Sequence, residues 1–214
     1  YNAQGAQNWG YDPENYNVPE GSYSSDPSDP ASRVTEMKQM VKGLHENDIR
    51  VIMDVVYNHV YNAANHSFNK TVPGYYFRYD DNGSLVNNSG CGNDTASERK
   101  MMRKYIVDSV TYWAKNYNVD GFRFDLMGLI DTETMKEVRA ALDEIDPSII
   151  ILGEGWDMNT TMDEGEMTIQ PNAYQVASDG TNNGIAFFND SVRDGLKGSV
   201  FSDTDTGFVS GKAD

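Results

Sequence analysis

The feature that most constrains the fold is an alternation between strand-like runs and helical patterns. Residues 49–57 form a nearly continuous apolar run rich in β-branched side chains, and residues 119–125 and 148–153 are two further strand-like runs. Helical spacing of apolar residues occupies 98–118 and 132–145, between these runs. Runs of this kind are typical of strands covered on both faces, and their alternation with helices predicts a parallel sheet with right-handed crossovers.

The remaining segments complete the predicted element order α-β-α-β-α-β-loop-β-α. A helix is predicted over 32–47, with Ser32 as its N-cap residue. A short strand over 184–188 and a helix over 190–196 follow the last long loop. Residues 1–31 and 61–97 are rich in Tyr, Asn, Pro, Ser and Gly, so we predict extended polar loops there. No glycine-rich phosphate loop follows any strand, which argues against a nucleotide-binding fold.

Composition excludes several classes of partner. The net charge of −16 argues against nucleic acid, because binding a phosphate backbone needs a basic surface. No run is long and apolar enough to span a membrane. The single cysteine, Cys91, excludes an intrachain disulfide. A chain of 214 residues can build a sizeable core but is shorter than a complete (β/α)₈ barrel, which takes about 250 residues.

Two acidic residues follow neighbouring strand-like runs. Asp125 closes the run at 119–125, and Glu154 follows the run at 148–153. Active-site residues of parallel barrels and sheets gather at the C-terminal ends of the strands, so we expect both carboxylates to face one substrate bond. Glycosidases use such a pair, one carboxylate as nucleophile or stabiliser and the other as proton donor and acceptor.

The residues around the two carboxylates suit these different roles. Arg123 lies two positions before Asp125 on the strand, so the two side chains point the same way and the guanidinium favours an ionised carboxylate. The alternative is an ion pair that only holds the interior together. Glu154 is flanked by glycines and followed by Trp156, whose apolar ring would raise the pKa of a nearby carboxyl, as a general acid requires. The alternative is an exposed acid in a glycine-rich turn.

Three further polar or aromatic residues are candidates for contacts with substrate. Asp54 interrupts an apolar run and therefore needs a partner or a function. His59 follows it, and the pair favours hydrogen bonds to sugar hydroxyls over a metal site, for which the ligand spacing is missing. Tyr11 lies in a Gly/Pro loop, where it would either stack on a sugar ring or pack the loop.

Taken together, these segments resemble the α-amylase superfamily, glycoside hydrolase family 13, and within it the type I pullulanases. Residues 54–60 (DVVYNHV), 121–125 (GFRFD) and 153–156 (GEGW) are similar to the first three conserved regions of that family. Residues 8–13 (NWGYDP) match most of the YNWGYDP signature of type I pullulanases, with Gln7 in place of its first tyrosine. The resemblance covers nearly the whole chain and extends into the LMG sequence at 126–128.

The resemblance implies a fold and a reaction. The fold would be part of a TIM (β/α)₈ barrel, roughly its third to sixth strands with their helices. Asp125 would be the nucleophile and Glu154 the general acid/base, with Arg123 holding Asp125 ionised and oriented. The reaction would be retaining hydrolysis of α-1,6-glucosidic branch links in pullulan and branched α-glucans.

The resemblance also implies how the partner, an α-glucan polysaccharide or oligosaccharide, would be held. Asp54 and His59 would hydrogen-bond the sugar before the scissile bond, and Tyr11 would stack on that sugar. Trp156 would line the site just beyond the cleavage point.

One departure from the family pattern concerns a third carboxylate. The family carries an aspartate preceded by histidine on a later strand, but no histidine follows His66 in this chain. We therefore expect residues 1–214 to be an incomplete barrel without its early and last strands, a partner of the remainder of the parent barrel, and inactive alone. The alternatives are another α-amylase-type enzyme, such as an α-1,4 hydrolase or isoamylase, or a non-catalytic α-glucan-binding module.

Cofactor and location are less constrained. No cofactor is required by the predicted chemistry. Calcium is common in the superfamily, yet neither 80–83 nor 204–207 forms a convincing ligand set, and 80–83 is better explained as a turn. The sequence does not decide the location: a secreted or cell-surface bacterial protein fits substrates too large to enter a cell, and a cytoplasmic enzyme is the alternative.

Overall fold

A computed structural model describes residues 9–178 and 183–212 of the chain. Residues 1–8 of the predicted N-terminal loop, including the signature positions Gln7 and Asn8, lie outside the described residues. Helices occur in the following segments: α1 (Pro30–His45), α2 (Ser67–Thr71), α3 (Lys100–Tyr117), α4 (Thr132–Asp143) and α5 (Asp190–Lys197). The strands are β1 (Ile52–Val55), β2 (His59–Val60), β3 (Asn93–Asp94), β4 (Gly121–Phe124), β5 (Ile150–Gly153) and β6 (Ala186–Phe187).

The main sheet has four parallel strands in the order β1-β4-β5-β6. Helices α3 and α4 follow one another between these strands and pack together. This arrangement confirms the predicted alternation and the parallel sheet. Strands β2 and β3 pair antiparallel in a separate two-stranded sheet, with His59 opposite Asp94. The register of the main sheet sets Asp54 of β1 beside Arg123 of β4.

Two sequence predictions about the first βα segment are wrong. The run at 49–57 is not covered on both faces, because β1 forms only at Ile52–Val55, lies at the edge of the sheet and leaves Ile52 44% exposed. The N-cap of α1 is Asp29 and not Ser32. The Asp29 carboxylate accepts a hydrogen bond from the Ala31 amide at 2.9 Å, and Pro30 begins the helix because proline suits the first helical position.

The predicted loop at 61–97 holds more structure than its composition indicates. It contains α2, β3 and a turn in which the Asp80 carboxylate accepts hydrogen bonds from the amides of Asn82 and Ser84. Its buried Arg78 forms an ion pair with Glu98 at 2.8 Å and donates to the carbonyl oxygen of Leu129 at 2.7 Å. A buried guanidinium with these partners ties the loop to the body of the protein.

The core lies between the sheet and the helices α3 and α4. It is built from the apolar faces of these elements, and its largest fully buried side chains include Trp113, Tyr57, Phe77, Phe122, Phe124, Met102, Ile106 and Leu142. Each aromatic side chain buries about 150–250 Å², so these residues dominate the hydrophobic stabilisation. The core fixes the strands whose ends carry the polar residues described next. No helix among the described residues is long and apolar enough to cross a membrane.

Candidate active site

The carboxyl ends of three neighbouring strands carry the site. The amide of Asp125 donates to the Val55 carbonyl at 3.0 Å, and the amide of Glu154 donates to the Phe124 carbonyl at 3.2 Å. These bonds continue the ladders that join β1 to β4 and β4 to β5. The ladders therefore position Asp125 and Glu154 side by side at the carboxyl ends of the strands, next to Asp54.

Arg123 connects the three carboxylates. Its Nη1 donates to Asp54 Oδ1 at 2.8 Å and to Asp125 Oδ1 at 3.1 Å, and its Nη2 donates to Glu154 Oε1. The side chains of Arg123, Asp125 and Glu154 are 17%, 13% and 13% exposed, so these charges meet where little water screens them. Asp54 faces solvent more openly. One planar guanidinium thus fixes the carboxylates relative to each other.

The electrostatics of the cluster keep the arginine charged. Burial acts to lower the pKa of the Arg123 guanidinium, but its contacts with Asp54, Glu154 and Asp125 outweigh burial, and the pKa is raised. Arg123 also lies beneath two aromatic rings, with its guanidinium carbon 5.8 Å from the ring centres of Tyr11 and of Phe188. These contacts are in the range of cation–π attraction.

Glu154 has the environment of a proton donor. Burial raises the pKa of its carboxyl above the ordinary value, and the negative charges of Asp125 and Asp54 add to this. The backbone amide of Leu126, 3.0 Å from Oε2, and the charge of Arg123 act in the opposite direction. Leu126 adopts the left-handed conformation (φ 39°, ψ 51°), which is unusual for a leucine and directs its amide towards Glu154.

Asp125 is held on its other side by a short chain of hydrogen bonds. Asn58 Nδ2 donates to Asp125 Oδ2 at 2.9 Å and to the Asp125 carbonyl oxygen at 2.8 Å. Since a carboxylate only accepts, this contact fixes the orientation of the Asn58 amide, and its Oδ1 must face His59 Nδ1 at 2.6 Å. The proton of neutral His59 is therefore on Nδ1. Burial lowers the pKa of this imidazole, although Asp125, Asp12 and the Tyr11 backbone act to raise it.

Tyr11 lies over the same cluster. Its hydroxyl donates to Asp54 Oδ2 at 2.8 Å, and this bond is the main reason that the pKa of the hydroxyl is raised. The loop at 9–15 therefore reaches the strand ends and does not pack at a distance. Tyr11, Asp54, Arg123, Asp125 and Glu154 form one connected network of hydrogen bonds and ion pairs.

Trp156 lies outside that hydrogen-bond network. Its indole Nε1 donates to Asp190 Oδ2 at 2.6 Å, which ties the loop after β5 to the first residue of α5. The sequence led us to expect that the Trp156 ring raises the pKa of Glu154. In the structure, the main cause of the raised pKa is burial of the carboxyl.

Four contributors to the site were not predicted in their roles: Asn58, the Leu126 amide, Phe188 and Asp190. The Asn58 side chain adjoins a predicted site residue, which is a weak signal. Nothing in the sequence indicated the other three.

The arrangement lends itself to acid–base chemistry. A carboxylate paired with arginine and asparagine lies beside a carboxyl whose burial favours the protonated form. Two titratable groups in different environments are the usual basis for separate base and acid roles. In the part of the chain that the structure describes, no group of three or more His, Cys, Asp or Glu side chains could hold a metal ion.

Comparisons with known proteins find similar sequences and structures over nearly the whole chain. The chain is 48% identical to the pullulanase of Bacillus subtilis (strain 168) over 98% of its own length, and 42% identical to the chloroplastic pullulanase 1 of Arabidopsis thaliana over 95%. It superimposes on the pullulanase of Paenibacillus barengoltzii, solved with maltohexaose and α-cyclodextrin, with a TM-score of 0.91 and 52% identity over 96% of the chain. No model of a protein family matches the chain.

The matched region is a limited part of each relative. The chain spans 28% of the length of the Bacillus protein, 22% of the Arabidopsis protein and 31% of the Paenibacillus structure.

Proposed function

This chain is a homologue of the pullulanases, and we propose that it carries the nucleophile and the general acid/base of a retaining α-glucan debranching hydrolase. The proposed substrate is the α-1,6-glucosidic branch link of pullulan and branched α-glucans. One observation carries the proposal: the guanidinium of Arg123 bridges Asp125 and Glu154 at the ends of adjacent parallel strands. Two similar structures support the substrate class: the Paenibacillus barengoltzii pullulanase was solved with maltohexaose and α-cyclodextrin, and the Anoxybacillus sp. LM18-11 pullulanase with maltotetraose.

In the proposed reaction, Asp125 attacks the anomeric carbon while Glu154 donates its proton to the glycosidic oxygen, and the bond between carbon and oxygen breaks. This step leaves a glycosyl ester on Asp125 and an ionised Glu154. Glu154 then takes a proton from water as the water oxygen attacks the anomeric carbon, so Asp125 leaves as a carboxylate. Arg123 and Asn58 hold the Asp125 carboxylate in place, and the raised pKa of Glu154 favours a proton on the donor.

Substrate contacts are proposed for the residues around this pair. Asp54 and His59 hydrogen-bond the sugar before the scissile bond, and Tyr11 stacks on it. The position of Tyr11 supports this role, because its ring lies over Arg123 while its hydroxyl is bonded to Asp54. Trp156 lines the site beyond the cleavage point.

We propose further that residues 1–214 correspond to roughly the third to sixth strands of a (β/α)₈ barrel. The parallel sheet supports this, since its strands are neighbours in space in the same order as in the chain. A barrel built in this way would need other strands beside β1, whose Ile52 is exposed at the sheet edge. The 214-residue polypeptide contains no His-Asp pair that could supply the family's third carboxylate. We therefore expect it to be inactive alone.

Product analysis tests the proposed bond specificity. The protein as its source cell produces it should release maltotriose from pullulan, because maltotriose is the product of α-1,6 cleavage. Release of short maltodextrins from amylose without cleavage of pullulan would instead indicate an α-1,4 hydrolase. Binding to amylopectin without any release of reducing ends would indicate a binding module and contradict the proposal.

A second assay tests the expectation for the chain alone. Purified 214-residue polypeptide should show no pullulan hydrolysis above that of the Asp125→Asn variant. Hydrolysis that Asp125→Asn abolishes would refute the requirement for a further carboxylate.

A further inference from the structure

The end of β6 packs directly against the segment that carries Glu154. The Phe188 amide donates to the Gly153 carbonyl at 3.2 Å. Gln170 bonds both segments, since its amide donates to the Gly155 carbonyl at 2.9 Å and its side chain donates to the Phe188 carbonyl at 2.5 Å. A Cβ atom at Gly155 would lie 2.2 Å from the Phe187 ring, so only glycine allows this approach. Hydrogen bonds and close packing therefore hold residues 153–156 and 187–190 together as one wall of the site.

Asp190 gives this wall a fixed polar anchor. Its Oδ2 accepts the indole hydrogen of Trp156 at 2.6 Å, and its Oδ1 pairs with Arg193 Nη1 at 2.9 Å. Asp190 is also the first residue of α5, where the helix dipole favours a negative charge. Both carboxylate oxygens thus have partners, and the bond to the indole is assisted by charge.

This anchor decides what Trp156 can offer to a ligand. Trp156 has a single hydrogen-bond donor, and Asp190 occupies it. The side chain therefore presents only the surface of its ring, and the anchored nitrogen limits the rotation of that ring. A ring held in one orientation, on a residue two positions after Glu154, suits the apolar face of a glucose unit, because aromatic rings bind through surface area and fixed geometry.

We propose that Asp190 is a positioning residue that sets the orientation of Trp156 for stacking against the glucose unit beside Glu154. The inference rests on the proposed function, because it assumes an α-glucan ligand. It assigns a specificity role to a residue on a different strand-helix unit from the two reacting carboxylates.

The experiment compares three variants with the unmodified protein, all made in the protein as its source cell produces it. Asp190→Ala removes the anchor, and Asp190→Asn keeps a neutral acceptor. Asp194→Ala is the matched control, because Asp194 lies on the same helix and pairs with the same Arg193, at 2.7 Å, while Trp156 is bonded to Asp190. The ¹H–¹⁵N resonance of the Trp156 indole, assigned by its loss in Trp156→Phe, reports whether the hydrogen bond to Asp190 is present. Titration with maltotriose reports the ligand contact.

We expect Asp190→Ala to move the Trp156 indole resonance and to weaken maltotriose binding about tenfold, as loss of a hydrogen bond to a charged group implies. Asp190→Asn should retain affinity within about threefold, and Asp194→Ala should leave both readouts unchanged. If the indole resonance does not move in Asp190→Ala, the claim that Asp190 holds the Trp156 indole is wrong. A moved resonance with unchanged affinity would overturn the positioning role.

The outcome of the titration also separates this inference from the proposed function. If the unmodified chain binds maltotriose and Asp190→Ala binds it equally well, the inference alone fails. If the unmodified protein, as its source cell produces it, does not bind maltotriose at millimolar concentration, the α-glucan ligand that both proposals assume is contradicted. If Asp194→Ala loses as much affinity for maltotriose as Asp190→Ala does, the loss comes from a change in helix α5 as a whole. That result would also overturn the role of Asp190.

Discussion

Replacing Arg123 by leucine tests whether this arginine stabilises the neighbouring carboxylates of the site. Among the described residues, the substitution removes the one cation that contacts Asp54, Asp125 and Glu154. Asp125 and Glu154 would remain 13% exposed, next to each other, with like charges. Asn58 and the Leu126 amide would still donate to them, but neither donor carries a charge. We therefore expect a loss of stability with a characteristic dependence on pH.

The size of the loss can be bounded from the contacts. Removing one partner of a mostly buried ion pair costs about 3–5 kcal/mol. The loss in free energy of unfolding cannot exceed the cost of protonating one carboxyl, because a proton on one of them removes the repulsion. For a glutamate with an ordinary pKa of about 4.3, holding that proton at pH 7 costs about 1.36 × (7 − 4.3), or about 3.7 kcal/mol. The expected loss in free energy of unfolding at pH 7 is therefore about 3–4 kcal/mol.

The sign of the pH dependence follows from the same proton. The folded Arg123→Leu variant binds about one more proton than its unfolded chain, so its stability rises as the pH falls. The deficit relative to the unmodified chain should shrink by about 1.4 kcal/mol per pH unit, to about 1 kcal/mol near pH 5.

Urea denaturation at about pH 5, 6 and 7 measures this deficit. Arg50→Leu is the control, because Arg50 is exposed and donates to the Ser148 carbonyl instead of joining the cluster. It should cost less than about 1 kcal/mol at every pH. A deficit for Arg123→Leu that does not change with pH, or that stays below about 1 kcal/mol at pH 7, would refute the idea that one arginine holds two mostly buried carboxylates in place.

Three further predictions follow from the site. A Cβ at Gly128 would lie 1.9 Å from the carbonyl oxygen of Trp156, so Gly128→Ala should lower the free energy of unfolding by about 2 kcal/mol. Gly165 has open space around it, so Gly165→Ala should leave the free energy of unfolding unchanged. Thermal denaturation compares the two variants. Burial lowers the pKa of His59, so the unfolded chain takes up the proton first and stability falls as the pH drops below about 6.5; His59→Gln should flatten this decline in pH-dependent denaturation, and an unchanged slope would contradict it. Because burial raises the pKa of Glu154, its ionised form opposes folding above about pH 4.3, and Glu154→Gln should raise the melting temperature at pH 7 but not near pH 4; equal effects at both values would contradict it.

Residues close in sequence or on paired strand ends were predictable. Asp125 and Glu154 follow apolar runs one strand-helix unit apart, and parallel pairing brings such ends together regardless of the details of packing. Arg123 and Asp125 share a face because side chains alternate along a strand. The parallel sheet itself followed from the alternation of strand-like runs with helical patterns.

Contacts set by packing between distant segments were not predictable. Asn58 and Asp125 are 67 residues apart, and Trp156 and Asp190 are 34 apart, with no periodic pattern that links them. The edge position of β1 escaped prediction for a related reason, since composition reports how apolar a strand is and not which neighbours cover it. By contrast, the N-cap of α1 was recoverable, because Asp29 directly before Pro30 is the stronger capping signal.

Covalent trapping tests most directly the claim that Asp125 attacks and Glu154 transfers protons. The Glu154→Gln variant, made in the protein as its source cell produces it, would be treated with α-maltotriosyl fluoride. Fluoride leaves without an acid, but water cannot be activated without the base, so a glycosyl-enzyme should accumulate. Intact mass should rise by one maltotriosyl unit, peptide mapping should assign it to Asp125, and Asp125→Asn should abolish it. Absence of an adduct, or an adduct on another residue, would contradict the account.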